Sequence, residues 1–139
     1  MGFDVNILAV LASGVAGVVI GMAWYAPTVF GSLWMKEAGL DPNSSKMEEG
    51  KKKMPLHAAT AFVAGVVLAW VMAYFALVWG SATLGSALEL GFWIWLGFMV
   101  PGHLSSVLWE GKSLKYFAIN AGFWLVNTLV VATIVSVWM

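Results

Sequence analysis

The sequence predicts an all-α integral membrane protein, a bundle of four transmembrane helices, and three observations predict it. Four apolar stretches are each long enough for the roughly 20 helical residues that cross a bilayer core. Of 139 residues, 61 % are hydrophobic and 10 % charged, whereas a soluble domain carries about a quarter charged residues. A water-soluble fold of this size cannot hide so much apolar surface. All the lysines, moreover, fall between the same pairs of stretches.

The spans are expected at Val5–Ala26, Leu56–Trp79, Leu84–Leu108 and Leu114–Trp138, in one domain covering residues 1–139. The first has Asp4 but no Lys or Arg before it. A cleavable signal peptide wants a positive leading segment, so the stretch reads as a retained helix. Its far end runs GMAWYAPTVFGSLWMKEAGL. Trp24 and Tyr25 carry amphipathic rings that favour the headgroup level. Pro27 lacks an N–H and clashes with the preceding turn. Phe30, Leu33 and Trp34 fall on one side of a short helix, a pattern for lying along the interface, and Lys36 and Glu37 mark water.

Segment 27–55 is therefore a polar loop. Ser45 with Glu48 fits a capping box. Lys51–Lys53 either fix topology or attract anionic lipid, at about 1 kcal/mol per lysine; four acids in the loop dilute that field. Lys36, Lys46, Lys51, Lys52 and Lys53 lie between the first two spans, and Lys112 and Lys115 lie at the junction of the last two. Positive loops stay in the cytoplasm, so both termini are expected outside.

Several functional classes drop out. Net charge is zero and arginine is absent, so no nucleic-acid partner is expected. Absence of cysteine removes disulfides, thiolate metal sites and cysteine nucleophiles.

The remaining polar and small residues inside the spans are the candidates. Glu89 is a carboxylate in an apolar span, where burial costs about 2.5–3.5 kcal/mol at mid-bilayer and commonly serves a task. Desolvation would make it a proton carrier; equally, it could be a structural hydrogen-bonding group, with Asn6 at similar depth as partner. His103 lies about 21 Å further along the same ideal helix and about 40° round it, just after Pro101-Gly102, which should kink or end the helix. His57 starts the second span at the same level; two histidines could hold a metal or haem, but further ligands are lacking, and no cofactor is expected. Asn120 and Asn127 share a face of the last span with Trp124 between them, for interhelical hydrogen bonds of around 0.6 kcal/mol each. Trp124 with Trp70, Trp93 and Trp95 fills the core or lines a ligand pocket.

Small residues recur every fourth position: Ala9, Ser13, Gly17 and Gly21 in the first span, and Ala61, Gly65, Ala69 and Ala73 in the second. Such stripes let backbones approach in lipid. They are expected to pack on each other within one chain, with a homodimer seam as the alternative.

The stretches WYAPTVFGSLWMKEAGL and WIWLGFMVPGHLSSVLWEGKSLKYFAINAGFWLVNTLVV resemble an uncharacterised family of small, mostly bacterial four-helix membrane proteins, domain-of-unknown-function family 1761. The tokens are Trp24, Tyr25, Pro27, Phe30, Gly31 and Trp34 at the exit of the first span, then Trp95, Leu96, Gly97 and Phe98, and Glu110-Gly111 before the last span. The resemblance implies a four-helix protein of a bacterial plasma membrane and supplies no catalytic residues. Lipid bilayer is the first expected partner. The leading functional expectation is a small-solute transporter or channel using Glu89 and the tryptophans, its ligand unspecified. The alternatives are an accessory subunit that binds partner helices through its small-residue stripes, and an intramembrane enzyme or haem protein using His57 and His103.

Overall fold

The structure is a computed structural model that describes residues 4–41 and 43–138. Helix α1 (Ile7–Trp24) begins where the Asn6 side chain accepts from the Leu8 and Ala9 N–H groups at 3.0 and 3.3 Å, satisfying donors that a first turn leaves free. After Tyr25 comes a π-helical turn, Pro27–Gly31, closed by the Gly31 N–H donating to the Ala26 carbonyl at 2.9 Å. Proline fits its first position, where an N–H has no partner in any case. A Cβ on Gly31 would run into the Tyr25 carbonyl oxygen, so only glycine lets this turn form.

Two short helices, α2 (Ser32–Ala38) and α3 (Ser45–Lys52), occupy the lysine-rich loop. The cap of α3 is Ser44, whose hydroxyl accepts from the Met47 N–H at 3.3 Å. The expected Ser45–Glu48 box is thus displaced: the helix starts one residue earlier, and Glu48 no longer stands at the position that can reach back. Next is α4 (Met54–Trp79), longer than expected because Pro55 is tolerated in a first turn. The third span, Leu84–Leu108, is continuous. It comprises α5 (Leu84–Ile94), a π-helical turn at Trp95–Met99 and α6 (Val100–Leu108). Pro101 does not end it, since the wider turn just before the proline accommodates the ring. Helix α7 (Leu114–Val137) completes the chain. Four helices are long and apolar enough to cross a membrane, at the four predicted places, and no strand occurs among the described residues.

Helix α7 is the hub. Of its apolar window 39 % is buried, against 17–22 % in the other spans, because α1, α4 and α5 all pack on it. Helices α1 and α4 also pack on each other, whereas α5 barely meets α4. The bundle is therefore a trio, α1, α4 and α7, with α5 and α6 laid along the outer side of α7. Val10, Met72, Leu90 and Val131 form its core.

The two ends are fastened differently. At one, the Asn6 amide donates to the Trp138 carbonyl at 3.1 Å, and the buried Ser81 and Ser136 hydroxyls meet at 2.7 Å. Both described chain ends and the 80–83 turn are thus held together. At the other, Lys112 Nζ donates to the Ala38 carbonyl at 3.1 Å and Ser113 Oγ to the Glu37 carboxylate at 2.6 Å. These bonds bring the two lysine-bearing segments to one end of the bundle.

Candidate functional site

The site begins with a crossing of two glycines. A Cβ on Gly65 of α4 would lie 3.1 Å from the Gly14 Cα of α1, and one on Gly14 would lie 2.8 Å from Val66 and 2.9 Å from Phe62 side-chain atoms. Backbone meets backbone here. The two stripes meet only in part: Ala9 and Ala73 lie together near the chain termini and Ser13 is fully buried, but Gly17 and Gly21 face α7, at Asn127 and Phe123. A small-residue stripe marks a face that can be approached; the residue that meets Gly65 is Gly14, one step off the stripe.

Beyond this crossing, toward the lysine-bearing end, α1 and α4 leave a crevice of about 490 Å³ between them. Gly21 and Met22 wall it on one side and His57, Ala58 and Ala61 on the other, with Phe123 of α7 behind. Nothing large projects from either wall at the turns nearest the crossing. The crevice lies within the range of about 300–1,000 Å³ typical of small-ligand sites and has their usual apolar lining with few polar groups.

Polar contacts brace its floor. Tyr25, one residue past the end of α1, donates to Asn120 Oδ1 at 2.5 Å, and Trp24 Nε1 donates to the Ile119 carbonyl at 2.9 Å. Trp34 stacks on Tyr116 at 6.2 Å and Phe30 lies 4.7 Å from Trp24. These rings, expected along the membrane interface, turn inward and pin α2 to α7. Asn127 is 3 % exposed, and its Oδ1 has no hydrogen-bond partner. It sits against Gly17, which also lines the crevice.

The other candidates fall into two further places. His103 and Trp124 come together, ring centroids 6.4 Å apart, at a hollow of about 440 Å³ beside Met99 and Gly102. His103 Nδ1 is paired with the Met99 carbonyl at 2.9 Å, and the π-helical turn is held to α7 by Trp95 Nε1 donating to the Ala121 carbonyl at 2.8 Å. His57 lies in the α1–α4 crevice instead, so the two histidines do not share a site. Among the described residues, no three His, Asp or Glu side chains gather to hold a metal ion.

Glu89 is exposed on α5, on the side away from the buried Ala87, Leu90 and Gly91. Asn6 does not pair with it, being committed to the α1 cap and to Trp138. It also belongs to the half of its span nearer the chain termini, the opposite end from the crevice. Residue reading alone missed Gly14, Gly31 and Gly91 as close-approach positions, and Tyr25 and Phe123 as site residues. The Trp-Tyr-x-Pro run was the available signal for Tyr25.

Four apolar spans with a lateral crevice define a multi-pass membrane protein of the α-helical bundle class. Its family follows from comparison: the model for "Protein of unknown function (DUF1761)" matches residues 8–136, and the chain belongs to that family. No curated protein and no solved structure matches it significantly.

Proposed function

We propose that the protein binds, and as a transporter moves, a small amphipathic solute that enters the crevice between α1 and α4. The observation that carries this reading is the crevice itself, with about 490 Å³ of space behind apolar walls. Binding of a naphthylamine dye, whose emission rises in apolar surroundings, tests the reading. Purified protein should bind it saturably, and Ala58→Phe and Ala61→Phe should each abolish saturation without lowering thermal stability. Unchanged binding in both would overturn it.

Within this reading Glu89 takes no part in ligand binding, and its proposed role is proton coupling. Loss of substrate-driven proton flux in Glu89→Gln liposomes would support that role, and unchanged flux would remove it. The lysine-bearing end is proposed to face the cytoplasm of a bacterial cell. In a chain without native cysteine, Ala82→Cys should react with an impermeant thiol reagent from outside and Asn43→Cys should not.

A second reading, an accessory subunit, is favoured by one feature. The outer face of α5 presents Leu88, Phe92 and Trp93 exposed. A partner helix or a second copy would cover that face. Co-purification of one stoichiometric partner, lost on Trp93→Ala, would favour it.

A further inference from the structure

Pro27 lines the crevice on one side and a second hollow, of about 410 Å³, on the other. The second hollow lies between α2 and α3, walled by Ser32, Met35 and Lys36 of the former and Met47 and Lys51 of the latter. Its charges are one-sided. Glu37 accepts from Ser113 and so is turned to the start of α7, while Lys112 is spent on the Ala38 carbonyl. Asp41 accepts from the Asn43 N–H at 2.9 Å. On α3, Met47 and Lys51 stand one turn apart on one face, and Glu48 and Glu49 lie about 100° and 200° round from Met47. Two exposed ammonium groups, Lys36 and Lys51, therefore line a hollow that meets an apolar crevice at a single proline.

We infer that the joined hollows hold one anionic membrane lipid from the leaflet on the lysine-bearing side, its tail between α1 and α4 and its phosphate between Lys36 and Lys51. The inference rests on the binding role proposed for the crevice and names the class of its occupant. A free phosphate would leave the crevice unfilled. An uncharged apolar molecule would leave both lysines without a counter-charge. A zwitterionic lipid brings its own cation to the site, against two others.

The test uses the full chain in detergent, titrated with phosphatidylglycerol and with phosphatidylcholine of identical chains, bound lipid being counted by native mass spectrometry. Phosphatidylglycerol should be preferred, and Lys36→Gln and Lys51→Gln should each cut the preference about fivefold. Both positions are exposed, so folding is not at risk. The pair Lys52→Gln with Lys53→Gln should leave the preference standing. Equal loss in that pair would mean diffuse surface attraction and overturn the inference, as would displacement of the lipid by inorganic phosphate at comparable concentration. Ala61→Phe separates the two levels. If it abolishes dye binding while the lysine variants leave lipid preference intact, the lipid assignment alone fails. If dye binding survives it, the crevice reading fails beneath.

Discussion

Two helix pairs in this bundle are each brought together by glycine, with opposite results. Where α1 meets α4, Gly65 touches the Gly14 backbone at one point, and the pair then opens into a crevice. Where α5 meets α7, a Cβ on Gly91 would lie 3.1 Å from Leu129 and 3.2 Å from Ala132 side-chain atoms, and the neighbouring Ala87 and Leu90 are buried. The second pair is packed around Gly91, and beyond it the Trp95 indole N–H donates to the Ala121 carbonyl and the Thr128 hydroxyl to the Met99 sulfur. The difference lies in the adjacent turns. Leucine and tryptophan fill the space beside Gly91; on the crevice side of Gly65 the next wall residues are Ala61 and Ala58. A close crossing makes a seam or a wedge according to what stands one and two turns away.

That comparison can be broken from its largest effect downward. Gly31→Ala should do most damage, because the added methyl meets a backbone carbonyl in the turn that shapes the mouth of the wedge. A loss of about 3 kcal/mol, the upper part of the overpacking range, is expected in thermal unfolding in detergent. Gly65→Leu should follow at about 2 kcal/mol, since the Gly14 backbone cannot give way, and it should part α1 from α4. Crosslinking yield between cysteines placed on those two helices would report the separation. Gly91→Ala should cost less, about 1 kcal/mol, because it adds a single methyl where Gly65→Leu adds a whole side chain, although Leu129 Cα and Ala132 Cβ would stand 3.2 Å from that methyl. Tyr25→Phe should lose around 0.6 kcal/mol, one interhelical hydrogen bond. Glu89→Gln, on an exposed face, should stay within about 0.5 kcal/mol. A larger penalty there would show that the carboxylate has a partner outside this chain.

The spans and their number were legible because lipid imposes a length and a composition that any chain must meet. Pairing was not. Gly17 and Gly21 approach α7, and it is Gly14 that meets α4, which presents Val66 and Phe62 to it. Asn120 and Asn127 were both expected to make interhelical hydrogen bonds. Asn120 Oδ1 accepts from the Tyr25 phenol, whereas Asn127 Oδ1 has no partner, because Tyr25 reaches only the first. His103 and Trp124 were candidates separately, and their meeting depends on α6 lying along α7.

The sequence by itself determined that this chain is a four-span helical membrane protein, where those four spans begin and end to within about two residues, and that its lysines share one end. Those follow from local rules: apolar length, a capping side chain, a proline without an N–H. Tertiary structure alone decided that α7 is the hub, that α5 and α6 lie outside the trio, and that a crevice opens between α1 and α4. An apolar helix has nearly the same composition on every face, so its neighbours are chosen by which side chains interlock in space. A crevice is the volume those side chains fail to fill, and no single stretch of sequence contains it.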